Sequence, residues 1–162
     1  MGALVQPRGW NDWPEATRSL LKAASSKAWE KMALEGNLWE QALTSGILRT
    51  LSEEELAQYR RPFAHPGEDR RPTLTWAQEN PLDGEPADVT EIENSYSEWL
   101  AQSSVPKLFV KAEPGGMTGS LLDFVRTWNA QREVTVRGLH FMVEDSPHEI
   151  GQALASWLHD LK

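Results

Sequence analysis

The sequence contains no cysteine, which excludes disulfide bonds and thiolate chemistry. This is typical of a protein from a reducing compartment, and we expect a cytoplasmic location. Basic residues are also scarce, because 16 Lys and Arg stand against 24 Asp and Glu, which gives a formal net charge of −8. The balance argues against a nucleic-acid partner, since such binding depends on clustered Lys and Arg. The one local basic cluster, Arg60-Arg61 with Arg70-Arg71, is interpreted as a solvated loop.

Several sequence patterns with a defined function are missing as well. No apolar run approaches the roughly 18 residues that span a bilayer, and the N-terminus has no signal-peptide pattern, so we expect no membrane partner. Metal-ligand spacings, glycine-rich phosphate loops and the G-x-S-x-G nucleophile motif are absent from the 162 residues. Tryptophan, in contrast, is abundant: eight of them predict a large aromatic core or an apolar pocket.

The first two thirds of the chain have helical patterns. A helix is predicted over 13–34, with a capping box formed by Asp12 and Glu15, and a short helix is predicted over 38–43. A capping box over 52–55 opens another helix, and the proline-rich stretch 61–83 predicts a loop with one short helix near 73–78. Residues 87–101 form an amphipathic helix whose predicted apolar face is Val89, Ile92, Tyr96, Trp99 and Leu100.

The last third alternates between strands and helices. Strands are predicted over 105–110 and 133–136, and a helix over 121–128 lies between them. The final helix is predicted to begin with a capping box formed by Ser146 and Glu149. This order predicts the edge of a parallel α/β sheet. Two strands do not make a stable parallel sheet alone, so further strands are expected beyond this sequence.

His140 is the one histidine whose position suggests catalysis. It follows a predicted strand and Gly138, and it precedes the acidic pair Glu144-Asp145. Loops at the carboxyl ends of parallel strands hold the working residues of α/β folds, and histidine can act there as a general base near neutral pH. The alternative is a structural histidine. The other three, His65, His148 and His159, are interpreted as surface residues.

Eight segments of the chain form one collinear pattern: Trp10 to Pro14, Ile47-Leu48-Arg49, Tyr59 to Phe63, Arg70 to Trp76, Pro86 to Val89, Leu108 to Gly115, Val134 to Phe141, and Glu144 to Gly151. In this order they resemble segments of the haloalkane dehalogenases, a family of α/β-hydrolases. Renilla-type luciferases share the scaffold, but the Ala-Glu-Pro-Gly run ending at Gly115 favours the bacterial dehalogenases.

The resemblance implies a partial α/β-hydrolase fold. It divides the chain into a truncated lead-in (1–9), a helical cap (10–102) and the last two strand–helix units of the parallel sheet (103–162). It also implies hydrolysis of a carbon–halogen bond without metal or organic cofactor. An aspartate nucleophile forms an alkyl-enzyme ester and a histidine, matched here to His140, activates water to hydrolyse it. The nucleophile and the halide donors are expected upstream of this chain.

The resemblance further implies an apolar pocket around His140. The matched wall residues are Trp13, Leu21, Trp39, Ala42, Trp76, Gly116, Met117 and Phe141. Both family positions for the acid that orients the histidine hold glycine here, at Gly2 and Gly115. Glu113 is a candidate for that acid, against the alternative of a structural turn carboxylate.

The expected ligands are a small halogenated hydrocarbon and halide, and the expected macromolecular partner is a complementing N-terminal chain or a second copy of this chain. Because most of the catalytic set is missing, the isolated chain is expected to be inactive. Two other interpretations remain open: a luciferase-like oxygenase on the same scaffold, and a non-catalytic remnant or half of a two-chain assembly.

Overall fold

The computed structural model describes residues 9, 11, 15–24, 26–36, 38–115 and 119–161. The chain divides into two compact units. The helical unit comprises Pro7–Thr44 and Leu51–Ile92, and the α/β unit comprises Ser45–Thr50 and Glu93–Lys162. Across the described ranges, no helix has both the length and the apolar character needed to cross a membrane.

The helical unit consists of short amphipathic helices joined by tight turns. Its helices are α1 (Glu15–Ala23), α2 (Lys27–Glu35), α3 (Leu38–Ser45), α4 (Glu53–Arg60) and α5 (Arg71–Gln78). Turns of 3₁₀ helix over Arg61–Phe63 and Glu68–Arg70 lead from α4 into α5. Helix α2 packs against α5, and the buried apolar side chains of the unit include Ala24, Ala33, Leu56 and Leu74.

The single helix predicted over 13–34 is wrong, because the chain breaks it between α1 and α2. Ser26 adopts an extended conformation there, and its side chain accepts the backbone N–H of Trp29 at 3.2 Å. Serine favours such helix starts because its hydroxyl satisfies an amide that has no intrahelical partner. The predicted cap at Asp12 lies outside the described residues.

The capping box predicted at the start of α4 is confirmed. The Ser52 hydroxyl accepts the Glu55 amide at 3.2 Å, and the Glu55 carboxylate accepts the Ser52 amide at 2.7 Å. The helix predicted over 38–43 is also present as α3, and the short helix predicted within the proline-rich stretch is α5, which has Pro72 in its first turn.

The α/β unit is built on a parallel strand pair. Its further elements are α6 (Ala87–Gln102, which begins in the helical unit), β1 (Lys107–Pro114), α7 (Gly119–Arg126), β2 (Gln131–Gly138), α8 (Met142–Asp145) and α9 (Pro147–Asp160). The register runs from Lys107 opposite Gln131 to Pro114 opposite Gly138. Leu121 and Val125 of α7 are buried, with Phe109, Phe124 and Trp128 packed against them. The predicted parallel α/β arrangement is therefore confirmed, with both strands longer than predicted.

Two sequence predictions in this unit are wrong. On α6, the side chains of Ile92 and Trp99 are 63% and 57% exposed, whereas Glu93 and Ser97 are buried. Val89, Tyr96 and Leu100 of the predicted face are half-buried, so the buried stripe overlaps that face but is rotated toward Glu93 and Ser97. At the start of α9, Ser146 makes no side-chain cap, because its hydroxyl donates to the Arg137 carbonyl oxygen at 2.7 Å.

The burial of Leu74 yields a first prediction. Its side chain is 2% exposed on α5, whereas that of Trp76 on the same helix is 69% exposed. We expect Leu74→Ala to lower the free energy of unfolding by about 2–5 kcal/mol, as large-to-alanine changes in packed cores do. Trp76→Ala is the matched control and should change it by less than about 1 kcal/mol. Urea unfolding followed by circular dichroism measures both, and equal effects would contradict the packing described here.

Candidate active site

His140 lies in the turn between β2 and α8. The residue is exposed, and its ring meets the ring of Phe141 edge to face, with 4.7 Å between the centroids. Partial desolvation by the surrounding protein lowers the pKa of His140 below its ordinary value. Across the described chain no hydrogen bond joins either ring nitrogen to another residue. The imidazole is therefore favoured in its neutral form, in which it can accept a proton.

Gly138 makes the sharp exit from β2 possible. A Cβ atom at this position would lie 2.7 Å from the Met142 Cβ and 2.9 Å from the Met142 Cα. Those distances are far below van der Waals contact, so any side chain would push α8 away from the end of the strand. The glycine thus allows the close approach of α8 to the end of β2, across the turn that carries His140.

The carboxylate of Asp145 holds this turn to another part of the chain. Its Oδ1 accepts the backbone N–H of Leu48 at 2.9 Å and that of Arg49 at 3.0 Å. Its Oδ2 accepts the N–H of Leu139 at 3.3 Å and also lies 3.1 Å from the Leu48 nitrogen. Desolvation raises the pKa of Asp145, but these amide hydrogen bonds outweigh it and leave the pKa below its ordinary value.

The His140 turn and the chain segment around Leu48 and Arg49 are joined at two further points. The guanidinium of Arg49 donates from Nε to the Glu144 carbonyl oxygen at 2.6 Å and from Nη2 to the Glu144 carboxylate at 2.8 Å. The Phe141 amide donates to the Gly46 carbonyl oxygen at 2.9 Å. Residues 46–49 therefore form a platform for the turn, a role that the sequence did not reveal.

Glu113, the candidate acid, lies near the end of β1 and is exposed. Lys111, two residues earlier, donates from Nζ to the Glu113 carboxylate at 2.6 Å. In the described residues no hydrogen bond joins Glu113 to His140, so its assignment as the orienting acid stays a prediction. Gly115 follows β1 with a φ of +74°, a conformation that favours glycine.

The predicted pocket wall is divided between the two units. Leu21, Trp39, Ala42 and Trp76 belong to the helical unit, whereas Phe141 lies beside His140 in the α/β unit. Leu21 and Trp39 are half-buried, and Ala42 and Trp76 are exposed. Trp13, Gly116 and Met117 lie outside the described residues. The grouping of these side chains into one wall therefore stays a prediction.

The helical unit contains a cavity of about 620 Å³ that the sequence did not predict. Its lining includes Trp39, and Phe63 packs on Trp39 with 5.1 Å between the ring centroids. The other lining residues are Glu35, Gly36, Ala57, Arg60, Arg61, Ala64 and Arg70.

Two of the arginines around this cavity have structural partners. Arg60 forms ion pairs with Glu40 and Glu53, at 2.6 and 2.8 Å. Arg70 donates to the carbonyl oxygens of Glu35, Gly36 and Phe63, and so caps the end of α2. Arg71 likewise forms an ion pair with Glu68 at 2.6 Å. The interpretation of the basic cluster as a loop is therefore wrong for these three residues, which lie in helical turns, although the side chains of Arg60 and Arg71 are 41% and 43% exposed to solvent.

Two curated haloalkane dehalogenases are similar to the whole chain. The chain is 49% identical over 164 residues to the enzyme of Sphingobium indicum and 46% identical over 165 residues to that of Mycolicibacterium smegmatis. It spans about half the length of these relatives, 55% and 53% respectively. A lower similarity, 38% over 152 residues, relates 92% of the chain to 49% of the coelenterazine h 2-monooxygenase of Renilla reniformis. No family model matches the chain.

Solved structures agree with the sequence comparison. The chain superimposes on an ancestral haloalkane dehalogenase, AncHLD2, with a TM-score of 0.88 and 36% identity. The match covers 96% of this chain and 56% of that one. For the haloalkane dehalogenase DbeA of Bradyrhizobium elkani the TM-score is 0.87, with 36% identity over 96% of this chain and 55% of that chain.

The parallel strand pair, its flanking helices and these superpositions define a partial α/β-hydrolase fold. Within that class, the chain is similar to the haloalkane dehalogenases over about half of their length, consistent with their C-terminal portion.

Gly138 provides a prediction with a built-in control. We expect Gly138→Ala to lower the free energy of unfolding by at least about 1–3 kcal/mol, because the new methyl group overlaps Met142. Gly151 lies within α9, and nothing stands within 4 Å of an added Cβ there. Gly151→Ala should therefore raise the stability by about 0.5–1 kcal/mol through helix propensity. Urea unfolding of both variants measures the difference, and a neutral Gly138→Ala would refute the close approach of α8.

The lowered pKa of His140 predicts a pH effect with a definite sign. The unfolded chain should protonate His140 at its ordinary pKa of about 6.5, whereas the folded chain resists protonation until lower pH. His140 therefore reduces stability as the pH falls from about 6.5 through the folded pKa, and has no such effect above that window. An NMR titration of the imidazole, assigned with His140→Gln and repeated in urea, measures both pKa values. A folded pKa at or above the unfolded one would contradict the desolvation.

Proposed function

We propose that this chain is the His140-bearing half of a haloalkane dehalogenase-type hydrolase, which converts a halogenated hydrocarbon to an alcohol and halide. The observation that carries the proposal is the position of His140, in a turn at the carboxyl end of a parallel strand, within a chain 49% identical to a haloalkane dehalogenase. Its exposed ring and lowered pKa both suit a neutral base that meets a substrate or a neighbouring chain segment.

In the proposed reaction, an aspartate attacks the carbon that bears the halogen. We place this aspartate in the part of the relatives' length that the chain does not cover. The carbon–oxygen bond of an alkyl-enzyme ester forms as the carbon–halogen bond breaks, and halide leaves with the bonding electrons. His140 then takes a proton from water, and the resulting hydroxide adds to the ester carbonyl carbon. The ester bond breaks, the alcohol leaves with the proton from His140, and the carboxylic acid that remains releases its proton to solvent, which restores the aspartate.

Residue matching assigns no acid to orient His140, because the two family positions hold Gly2 and Gly115. Glu113 remains our candidate on the ground of its place near the end of β1, beside the strand that leads to His140. Its ion pair with Lys111 would have to open for this role.

A further strand beside β1 is part of the same proposal. In the described residues the sheet has only the strands β1 and β2. The apolar β1 residues Leu108, Phe109 and Val110 are therefore left only half-buried. Parallel sheets are normally covered on both faces and extended by further strands. We propose that the polypeptide that supplies the nucleophile also supplies the strand next to β1, with pairing between copies of this chain as the alternative.

The luciferase-like alternative rests on the lower similarity to the Renilla reniformis protein, at 38% identity against 49% for the dehalogenase. Both activities can be measured on one preparation. Light emission from coelenterazine without halide release from haloalkanes would favour the oxygenase.

The proposal is tested by halide release from a long 1-haloalkane such as 1-bromohexane. The 162-residue chain alone should release no more halide than its His140→Ala variant, since loss of one member of a catalytic set already removes on the order of 10⁴- to 10⁶-fold of the rate. A fusion of the chain to the remaining N-terminal portion of the Sphingobium indicum enzyme should release halide, and His140→Ala should abolish this.

His148→Gln, on the exposed start of α9, is the matched control for the fusion and should leave its activity intact. Gly2→Glu in the fusion should raise the rate if the missing acid limits catalysis. The proposed function would be refuted if the folded fusion released no halide with either Gly2 or the Gly2→Glu substitution. Halide release that does not depend on His140 would refute it as well.

A further inference from the structure

His140 stands between two backbone amides that are both held by other parts of the α/β unit. The amide of Leu139, on one side, donates to the Asp145 carboxylate, and the amide of Phe141, on the other, donates to the Gly46 carbonyl oxygen. The histidine is thus the single residue between two fixed points. With both neighbours tethered, the backbone of His140 has little freedom to rotate, so the directions open to its ring are the few staggered rotamers that this fixed backbone allows.

Asp145 supplies one of these two fixed points. Its carboxylate accepts amides from Leu48 and Arg49 as well as from Leu139, and so it joins the turn to a segment 97 residues away in sequence. Hydrogen bonds to an ionised acceptor are roughly twice as strong as neutral ones. The flanking residue Glu144 supports the same junction through its ion pair with Arg49.

We propose that Asp145 is a positioning residue for His140, whose carboxylate fixes the histidine turn on the Leu48–Arg49 segment and thereby sets the direction of the imidazole. The catalytic meaning of this role rests on the proposed function, but the positioning itself does not. Both oxygens of Asp145 are occupied by backbone amides, so Asp145 acts through the turn and neither orients the ring directly nor serves as a nucleophile.

Ser146 offers a matched control at the same junction. Its buried hydroxyl donates to the Arg137 carbonyl oxygen at 2.7 Å, and so it ties α8 and α9 to the end of β2. Ser146→Ala removes a buried hydrogen bond next to Asp145 in sequence but leaves both amides beside His140 tethered. If Asp145 merely stabilised the junction, the two substitutions would affect His140 alike.

The test is NMR on the complete 162-residue chain, with Asp145→Ala and Ser146→Ala compared. In Asp145→Ala we expect the Leu48, Arg49 and Leu139 amides to exchange with solvent at least about tenfold faster, because each loses a charge-assisted hydrogen bond. The His140 ring signals should shift or broaden and titrate closer to the ordinary histidine pKa. In Ser146→Ala the same amides and the His140 titration should stay as in the native chain. This readout needs no enzymatic activity, so it is independent of the halide assay.

Equal effects of the two substitutions, or a native His140 titration in a folded Asp145→Ala chain, would overturn the proposal. If Asp145→Ala does not fold, two measurements still decide. In the native chain the Leu48, Arg49 and Leu139 amides should be protected to a similar degree, since one acceptor holds all three. Asp145→Asn keeps an oxygen acceptor without the charge, and it should give exchange rates between native and unprotected values. The tether would be refuted if the Leu48, Arg49 and Leu139 amides of the native chain were unprotected. Exchange rates in Asp145→Asn equal to those of the native chain would also refute it.

Discussion

The parallel pairing of β1 with β2 is the constraint on which the candidate site depends. Because the register brings Pro114 level with Gly138, the segments that follow both strands leave the sheet at the same edge. The His140 turn leaves β2 there, and the Gly115 turn leaves β1 beside it. A shift of the register by one residue would move these turns apart and turn the side chains of one strand to the opposite face. The relative position of the two turns therefore depends on how the strands pair before it depends on any single side chain.

The order of elements could be predicted from the sequence, but their limits could not. The strand–helix–strand–helix order of the last third is present, and the capping box at Ser52 is formed as predicted. The same kind of pattern failed at Ser146, where the hydroxyl binds the carbonyl of Arg137. Local spacing shows that a serine can cap a helix. It does not show that a strand end lies close enough to compete for the hydroxyl.

The candidate site was predictable to a similar degree. His140 could be singled out because a strand, a glycine and a helix surround it in sequence. The tether of its turn could not, because the amides that bind Asp145 come from Leu48 and Arg49, far away in the chain. The arginines of the helical unit show the same limit: their pairs with Glu40 and with the carbonyl oxygens at the end of α2 depend on how the helices pack.

The close approach at Gly138 has a consequence for how this part of the protein can diversify. With the Met142 Cβ only 2.7 Å from where a side chain would begin, any substitution at Gly138 is destabilising unless α8 moves at the same time. The end of β2, the His140 turn and helix α8 are therefore expected to change together in evolution. A recombination event between Gly138 and Asp145 would combine a strand end and a helix α8 that come from proteins with different strand-to-helix distances. A crossover within the sequence of α9 would leave this segment intact.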